Sequence, residues 1–284
     1  MTRCLFASDL HGDAGRYGKL FASITDRRAD AVFLGGDLLP PAWCDDGRAP
    51  EGFVSGYLAD ALQQLRARLG SRFPRVMLIL GNDDARAAEG AVRDLERRGL
   101  VEYIHQRSVS VGRHEVHGYA YVPPTPFPLK DWERYDVSRY VDPGCLSPEE
   151  GVCSVPISDA ERRHSTIERD LARLAGTRPL DQAVFLFHAP PHDTCLDRAG
   201  LDGIGVEGVM VDLHVGSIAI RRFIEQRQPL LTLHGHIHES ARLSGAWRDR
   251  IGRTHLLSAA HDGAQLALVQ FTLEQPEEAA RELL

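Results

Sequence analysis

Three histidines stand at alternate positions in Leu233-His234-Gly235-His236-Ile237-His238, directly after the apolar run Pro229–Leu233. A buried strand that ends this way presents imidazoles at its exit, where an α/β sheet places its ligand, and imidazole is the commonest metal ligand among side chains. The same kind of ending recurs along the chain. Arg3–Ala7 leads into Ser8-Asp9-Leu10-His11-Gly12-Asp13, Ala31–Leu34 into Gly35-Gly36-Asp37, Val76–Leu80 into Gly81-Asn82-Asp83-Asp84, and Ala183–Phe187 into His188-Ala189-Pro190-Pro191-His192. Core packing does not explain polar ligand types at the carboxyl ends of apolar strands. Glycine or proline at each tip permits a sharp turn and close backbone approach. Carboxylate, amide oxygen and imidazole together suit borderline divalent ions: Mn, Fe, Zn or Co. Seven such ligands (Asp9, His11, Asp37, Asn82, His188, His236, His238) exceed the needs of one tetrahedral zinc with an open position. They suit two ions sharing a bridging carboxylate, about 3.5–4 Å apart in such centres.

The elements that must position these residues alternate in type. Short apolar strands at 3–7, 31–34 and 76–80 are separated and followed by helical patterns at about 14–28, 52–69 and 86–98. This order predicts a parallel sheet covered by helices on both faces. Two further strands are expected at 108–111 and 115–119, with a turn at Gly112-Arg113. From Val122 to about Val155, in an excursion that runs to about residue 157, the periodicity fails, and six prolines are interleaved with Trp132, Tyr135 and Tyr140. Such a segment reads either as a lid or binding loop, or as a surface excursion whose aromatics pack onto the body. Lys130 and Arg134 within it read as solvated charges or as contacts to a substrate phosphate. A helix is expected at about 159–175, a strand at 183–187 and a helix at 217–226. Thr254–Leu257 and Leu266–Phe271 read as a closing β-hairpin, and Glu274–Leu284 as a short helix or frayed end. The chain as a whole, 1–284, reads as one domain.

At 284 residues the chain can bury a sizeable core, and 43% hydrophobic with 26% charged residues is ordinary globular composition. A net charge of −7 excludes duplex nucleic acid and membrane surfaces as expected partners. A phosphate-bearing substrate needs local positive charge against that field, which metal ions would supply. The five cysteines are odd in number and contain no CxxC pair, which points to a reducing cytosol rather than a disulfide framework. Cys145 and Cys153 share one loop and could pair on oxidation. No signal-like apolar core opens the sequence and no run approaches the roughly 20 apolar residues of a membrane helix, so a cytoplasmic protein is expected.

The ordered set of strand endings resembles the calcineurin-like metallophosphoesterase superfamily, whose pattern is D-x-H, G-D, G-N-H-[DE], a lone H, then G-H-x-H. Asp9-Leu10-His11, Gly36-Asp37, Gly81-Asn82, His188 and Gly235-His236-Ile237-His238 match it in type, spacing and order over about residues 3 to 260. The resemblance implies an α/β fold with central β-sheets sandwiched by helices in four αββα layers. It implies that Asp9, His11 and His238 hold one divalent ion (Mn, Fe or Zn), that Asn82, His188 and His236 hold a second, and that Asp37 bridges them. It further implies a metal-bound hydroxide attacking phosphorus in line with the leaving group, on a small-molecule phosphoester, a nucleotide being one option. The oligomeric state is left open, a homodimer among the options.

The departure from the pattern is Asp83, where the family carries the histidine often taken to stabilise the transition state or protonate the leaving oxygen. An ionised carboxylate repels a phosphate oxygen and donates a proton only if its pKa rises well above about 3.9. The candidates for that role are therefore Asp83 itself, His192, His261 and His234, although His234, one step before the motif, more simply points away from the metals. Some bacterial and archaeal phosphodiesterase-like members of the family also lack this histidine, so the change does not imply a dead site, and the expected activity is that of a phosphodiesterase rather than a monoesterase or protein phosphatase. The alternative is an inactive scaffold of the same fold that binds proteins. Ser258-Ala259-Ala260-His261 stands where many small relatives carry Asn-Pro-Gly. Asp13 reads as the N-cap of the first helix, and Asp84 as a cap or as a partner orienting a ligand. His214 reads as structural.

Overall fold

The computed structural model describes residues 1–41, 49–206 and 209–284; Cys44 lies outside them. In chain order the strands are β1 (Arg3–Ala7), β2 (Ala31–Gly35), β3 (Arg75–Ile79), β4 (Glu102–Tyr103), β5 (Ser108–Val111), β6 (His114–Tyr119), β7 (Ala183–Phe187), β8 (Gly205–Val206), β9 (Val209–Met210), β10 (Leu231–His234), β11 (Arg248–Ile251), β12 (Thr254–Ser258), β13 (Ala267–Thr272) and β14 (Gln275–Leu283). The helices are α1 (Ala14–Asp26), α2 (Pro50–Phe53), α3 (Ala59–Leu69), α4 (Glu89–Arg97), α5 (Asp159–His164), α6 (Ile167–Ala175), α7 (Ile218–Arg227) and α8 (Ser240–Ser244). A π-helical turn, Val54–Leu58, joins α2 to α3.

Two six-stranded sheets form, in the orders β14-β13-β1-β2-β3-β4 and β11-β12-β10-β7-β6-β5. Within the first, β1, β2, β3 and β4 run parallel; within the second, β6, β7, β10 and β12 do. The parallel strands β2 and β7 are buried along their whole length, as expected of strands covered on both faces. Helices do not cover both faces, as the strand-helix alternation alone suggests; β2 touches β7 and β3 touches β6, so the inner face of each sheet is the other sheet, as the family resemblance implies. Phe6, Phe33 and Met77 from one sheet and Val116, Phe185 and Leu233 from the other belong to one core cluster. The layers are αββα. Helix α1 starts at Asp13, whose carboxylate accepts the N–H of Arg16, and it buries Tyr17, Leu20 and Ile24 along one stripe.

Three expectations are corrected. Thr254–Leu257 and Leu266–Phe271 form no hairpin: β12 pairs with β10 and β11 in the second sheet, whereas β13 pairs with β1 and β14 in the first. Glu274–Leu284 is neither helix nor frayed, because β14 closes the edge of the first sheet. Its Glu282 pairs with Arg27 of the α1 C-cap. The helix expected at 159–175 breaks at Ser165-Thr166, where the Thr166 side chain caps α6 by accepting the N–H of Arg169.

The excursion at 122–157 is an ordered covering. Isolated bridges tie Val122 to Glu133, Leu129 to Val152 and Tyr135 to Thr166, and Trp132 is fully buried with its Nε1–H donated to the backbone carbonyl of Asp84 at 2.8 Å. Lys130 and Arg134 are neither solvated nor turned to a substrate. Lys130 donates to Glu133 at 2.6 Å and to the Thr125 carbonyl at 2.8 Å, all within the interior. Arg134 pairs with Asp170 and Glu161 and lies over the Tyr121 ring. Cys145 and Cys153 are free thiols, as are Cys4 and Cys195. Among the described residues no helix is long and apolar enough to cross a membrane.

Candidate metal centre

The parallel strands of both sheets deliver their carboxyl ends to one place. Asp9 and His11 follow β1, Asp37 follows β2, Asn82 follows β3, His188 follows β7, and His236 and His238 follow β10. Ligand atoms of Asp9, His11, Asp37 and His238 all lie within 4.8 Å of one another, and so do those of Asp37, His188 and His236. Asn82 joins the second group through its Oδ1, which lies 3.0 Å from His188 Nε2. Asp37 is common to both groups.

The donor atoms face each other without protons enough to pair them. His188 Nδ1 lies 2.7 Å from the Gly35 carbonyl, which only accepts, so the ring hydrogen sits there. Nε2 of the neutral ring is then a lone pair aimed at Asn82 Oδ1 (3.0 Å) and Asp37 Oδ2 (3.2 Å), both acceptors. On the other side His11 Nε2 faces His238 Nε2 at 3.3 Å, and His238 Nε2 lies 3.4 Å from Asp9 Oδ1. Asp9 Oδ2 is buried with no hydrogen-bond partner at all. Convergent lone pairs of this kind could hold cations between them, and the nitrogen and oxygen donors are of the types that suit borderline divalent ions.

The same imbalance sets the proton affinities. Against the penalty of burial, the charges of Asp37 and Asp9 lift the His188 imidazole to about 10. Against the same penalty, the hydrogen bond and charge of Asp9 lift His238 to about 9. His236, buried beside His188, is pushed down to about 3. Despite burial, Asp37 is held well below the usual carboxylate range by His188. The cluster binds protons where it lacks another positive charge.

Backbone geometry is as specialised as the side chains. Asp9 (φ 58°), His11 (φ 46°), Asp37 (φ 51°) and His236 (φ 74°) all adopt the left-handed conformation, which aspartate and histidine tolerate better than most residues but which still carries strain. Glycine is required beside them for proximity: a Cβ on Gly235 would run into Ser8 Oγ and lie 2.9 Å from Asp9 Oδ2, and one on Gly81 would meet Asp37 and His188. Asp84 fixes the two loops to each other. It is fully buried and accepts the N–H groups of Leu38, Leu39 and Gly81, tying the turn after Asp37 to the turn before Asn82.

The sequence model of the calcineurin-like phosphoesterases matches residues 2–240. The chain belongs to that family. Two crystal structures are similar across whole chains. One is TT1561 of Thermus thermophilus, 16% identical with a TM-score of 0.59, covering 99% of this chain and 98% of that one. The other is 15% identical with a TM-score of 0.61 and the same coverage. At these identities the likeness bears on the fold alone. No curated protein matches the chain.

In this calcineurin-like phosphoesterase a cavity of about 450 Å³ opens beside the cluster, lined in part by Asp37, Asn82, His236 and His238. Asp83 also lines it, with Oδ2 3.8 Å from His11 Nδ1 and Oδ1 accepting from Asn82 Nδ2 at 2.9 Å. Burial and the charge of Asp37 raise its carboxyl to about 6. The other candidates for proton handling are not brought to the cavity wall. His192 lies 3.2 Å from Asp212 through Nε2, and His261 sits beside Gln265 in a small recess next to Ser8 and Arg16. His234 does point away: it is buried, with Nδ1 2.9 Å from the Ala189 carbonyl and Nε2 2.7 Å from Thr232 Oγ1. Besides His236 and His238 of the cluster, the imidazole that lines the cavity is His214. Its Nδ1 lies 2.8 Å from Asp197 Oδ1, and that buried carboxylate also accepts the N–H groups of Asp193, Thr194 and Gly216. The sequence carries no local signal for this pair, because the two residues meet only through the fold of the 193–216 loop.

Proposed function

We propose that this chain is a binuclear metal-dependent phosphoester hydrolase that prefers diesters. The observation that carries the reading is the sharing of Asp37 between two groups of donor atoms. Asp9, His11 and His238 would hold one ion, Asn82, His188 and His236 the other, with Asp37 bridging and Mn, Fe or Zn as the ions. When bound, such ions lower the pKa of the attacking water and offset the charge of the phosphoryl oxygens.

The protein's own groups do the positioning. The Gly35 carbonyl fixes the His188 tautomer, the Asp83 N–H holds Asp37 Oδ1 at 2.9 Å, and the His236 N–H holds Asp9 Oδ1 at 3.1 Å; contacts of this sort orient ligands and raise their affinity. A poor leaving group requires a proton on its oxygen, and Asp83 and His214 are two cavity groups placed to supply it. Bound cations would draw the Asp83 carboxyl back toward its ionised form. His214 lines the same cavity with its ring oriented by Asp197.

Preference for diesters follows from charge. Asp83, Asp142, Asp212 and Glu239 line the cavity, and among the described residues no lysine or arginine does. A monoanionic diester meets less repulsion there than a dianionic monoester. The test is metal analysis of protein purified without chelator, then hydrolysis of bis-p-nitrophenyl phosphate and p-nitrophenyl phosphate with Mn²⁺. Up to two equivalents of metal and faster diester cleavage are expected, and Asp37→Ala or His236→Ala should abolish it. Wild-type activity in those variants would remove the assignment.

A further inference from the structure

The cavity beside the cluster has two unlike walls. One is the cluster itself. The other is built by the excursion at 122–157 and by the connection between β7 and α7, which contribute Pro124, Phe127, Leu201, Ile204, Val206 and Val211. The two segments are close neighbours there, since a Cβ on Gly144 would lie 3.4 Å from Val206 Cγ2. Phe127 and Ile204 are 55% and 45% exposed, an unusual disposition for large apolar side chains grouped at one mouth. The charged groups in the lining are carboxylates, with no lysine or arginine among the described residues.

We infer that the organic group of the substrate is apolar and carries no anionic charge: an aryl or alkyl phosphodiester rather than a polyphosphate or a bisphosphorylated sugar. The inference rests on the hydrolase reading above and specifies its substrate class. A space of about 450 Å³ accommodates a group of roughly nucleoside size. Each methylene fully buried against the apolar wall favours binding roughly fourfold. A second anion would be desolvated beside Asp142, Asp212 and Glu239 with no partner of opposite sign. Both terms select the same ligand chemistry.

The test holds the leaving group constant. In p-nitrophenyl alkyl phosphates assayed with Mn²⁺, kcat/KM should rise by at least about tenfold from methyl to hexyl, mainly through KM, as burial of added methylenes requires. The 2-carboxyethyl ester should fall to the methyl value or below. Leu201→Arg, a change in a half-buried wall residue outside the metal ligands, should lower the hexyl value and raise the carboxyethyl one. Independently of catalysis, metal-free protein in chelator should bind 4-phenyl-1-butanol, detected by ligand-induced NMR shifts, and Leu201→Arg should weaken that binding. A flat alkyl series, or a choline ester preferred to the hexyl ester, would overturn the inference. Hydrolysis of no ester at all would instead strike the hydrolase reading, and the alcohol titration would then decide the cavity's chemistry by itself.

Discussion

Removing the Asp84 carboxylate should destabilise the fold and the candidate metal centre together. In Asp84→Ala the N–H groups of Leu38, Leu39 and Gly81, which donate to it at 2.8–3.0 Å, lose their acceptor in a site with no solvent exposure. An unsatisfied buried donor costs about 1–3 kcal/mol, so three give about 3–9 kcal/mol before relief. Release of the buried carboxyl from its own desolvation, and entry of a water, offset part of this. A net loss of about 3–5 kcal/mol is expected, a large part of a typical total of about 5–15 kcal/mol. Asp84→Asn keeps one acceptor oxygen but turns an NH₂ toward one of the donors, and should lose about half as much. Urea unfolding in the presence of chelator, with the shift in midpoint read at constant m, isolates the folding term. Calorimetric Mn²⁺ titration should show affinity weakened about 10–100-fold, the usual effect of losing an orienting partner. Stability within about 0.5 kcal/mol of wild type would show that the three amides find other partners and that the clamp is not what joins these loops.

Two further predictions concern the same cluster. The Gly235→Ala methyl would run into Ser8 Oγ beside Asp9, so this variant should keep its far-ultraviolet circular dichroism while Mn²⁺ affinity falls at least about tenfold, as for loss of a metal-site support; unchanged affinity would refute the close-approach argument. In metal-free protein, His188 (about 10) and His238 (about 9) are raised above the unfolded value near 6.5. Their contribution to stability is fully present below pH 6.5 and is lost as pH climbs through 9 to 10. The Tm in chelator should therefore fall between pH 7 and pH 10, and fall less in Asp37→Asn, whose neutral amide no longer raises His188. An equal fall in both proteins would sink this account.

The strand ends were legible because their signal is local: an apolar run followed by a ligand type with glycine or proline close by, repeated at Asp9, Asp37, Asn82, His188 and His236. What remained hidden depended on pairing across the fold. Gln275–Leu283 carries Glu-Glu-Ala-Ala-Arg-Glu-Leu, a favourable helical composition, yet the edge of β13 offers it antiparallel backbone pairing on both sides of a register shift, and tertiary pairing prevails. Thr254–Ser258 and Ala267–Thr272 both read as strands, but nothing local says that one belongs to each sheet. Lys130 looked solvated because its burial is decided by the bridges that draw 122–157 against the body, although its partner Glu133 lies only three residues on. Asp197 gave no sign at all, since its value lies in the His214 ring it holds.

The left-handed backbone at Asp9, His11, Asp37 and His236 sets fold stability against site integrity. Each such residue costs about 1–2 kcal/mol relative to a right-handed conformation, a cost that glycine would largely avoid. Substitutions that relax the turns are therefore the ones that delete the candidate ligands, the trade-off seen where active sites hold strain. Variants of this chain selected for thermal endurance alone, with no demand for metal or turnover, should lose these four side chains early and keep the sandwich beneath them.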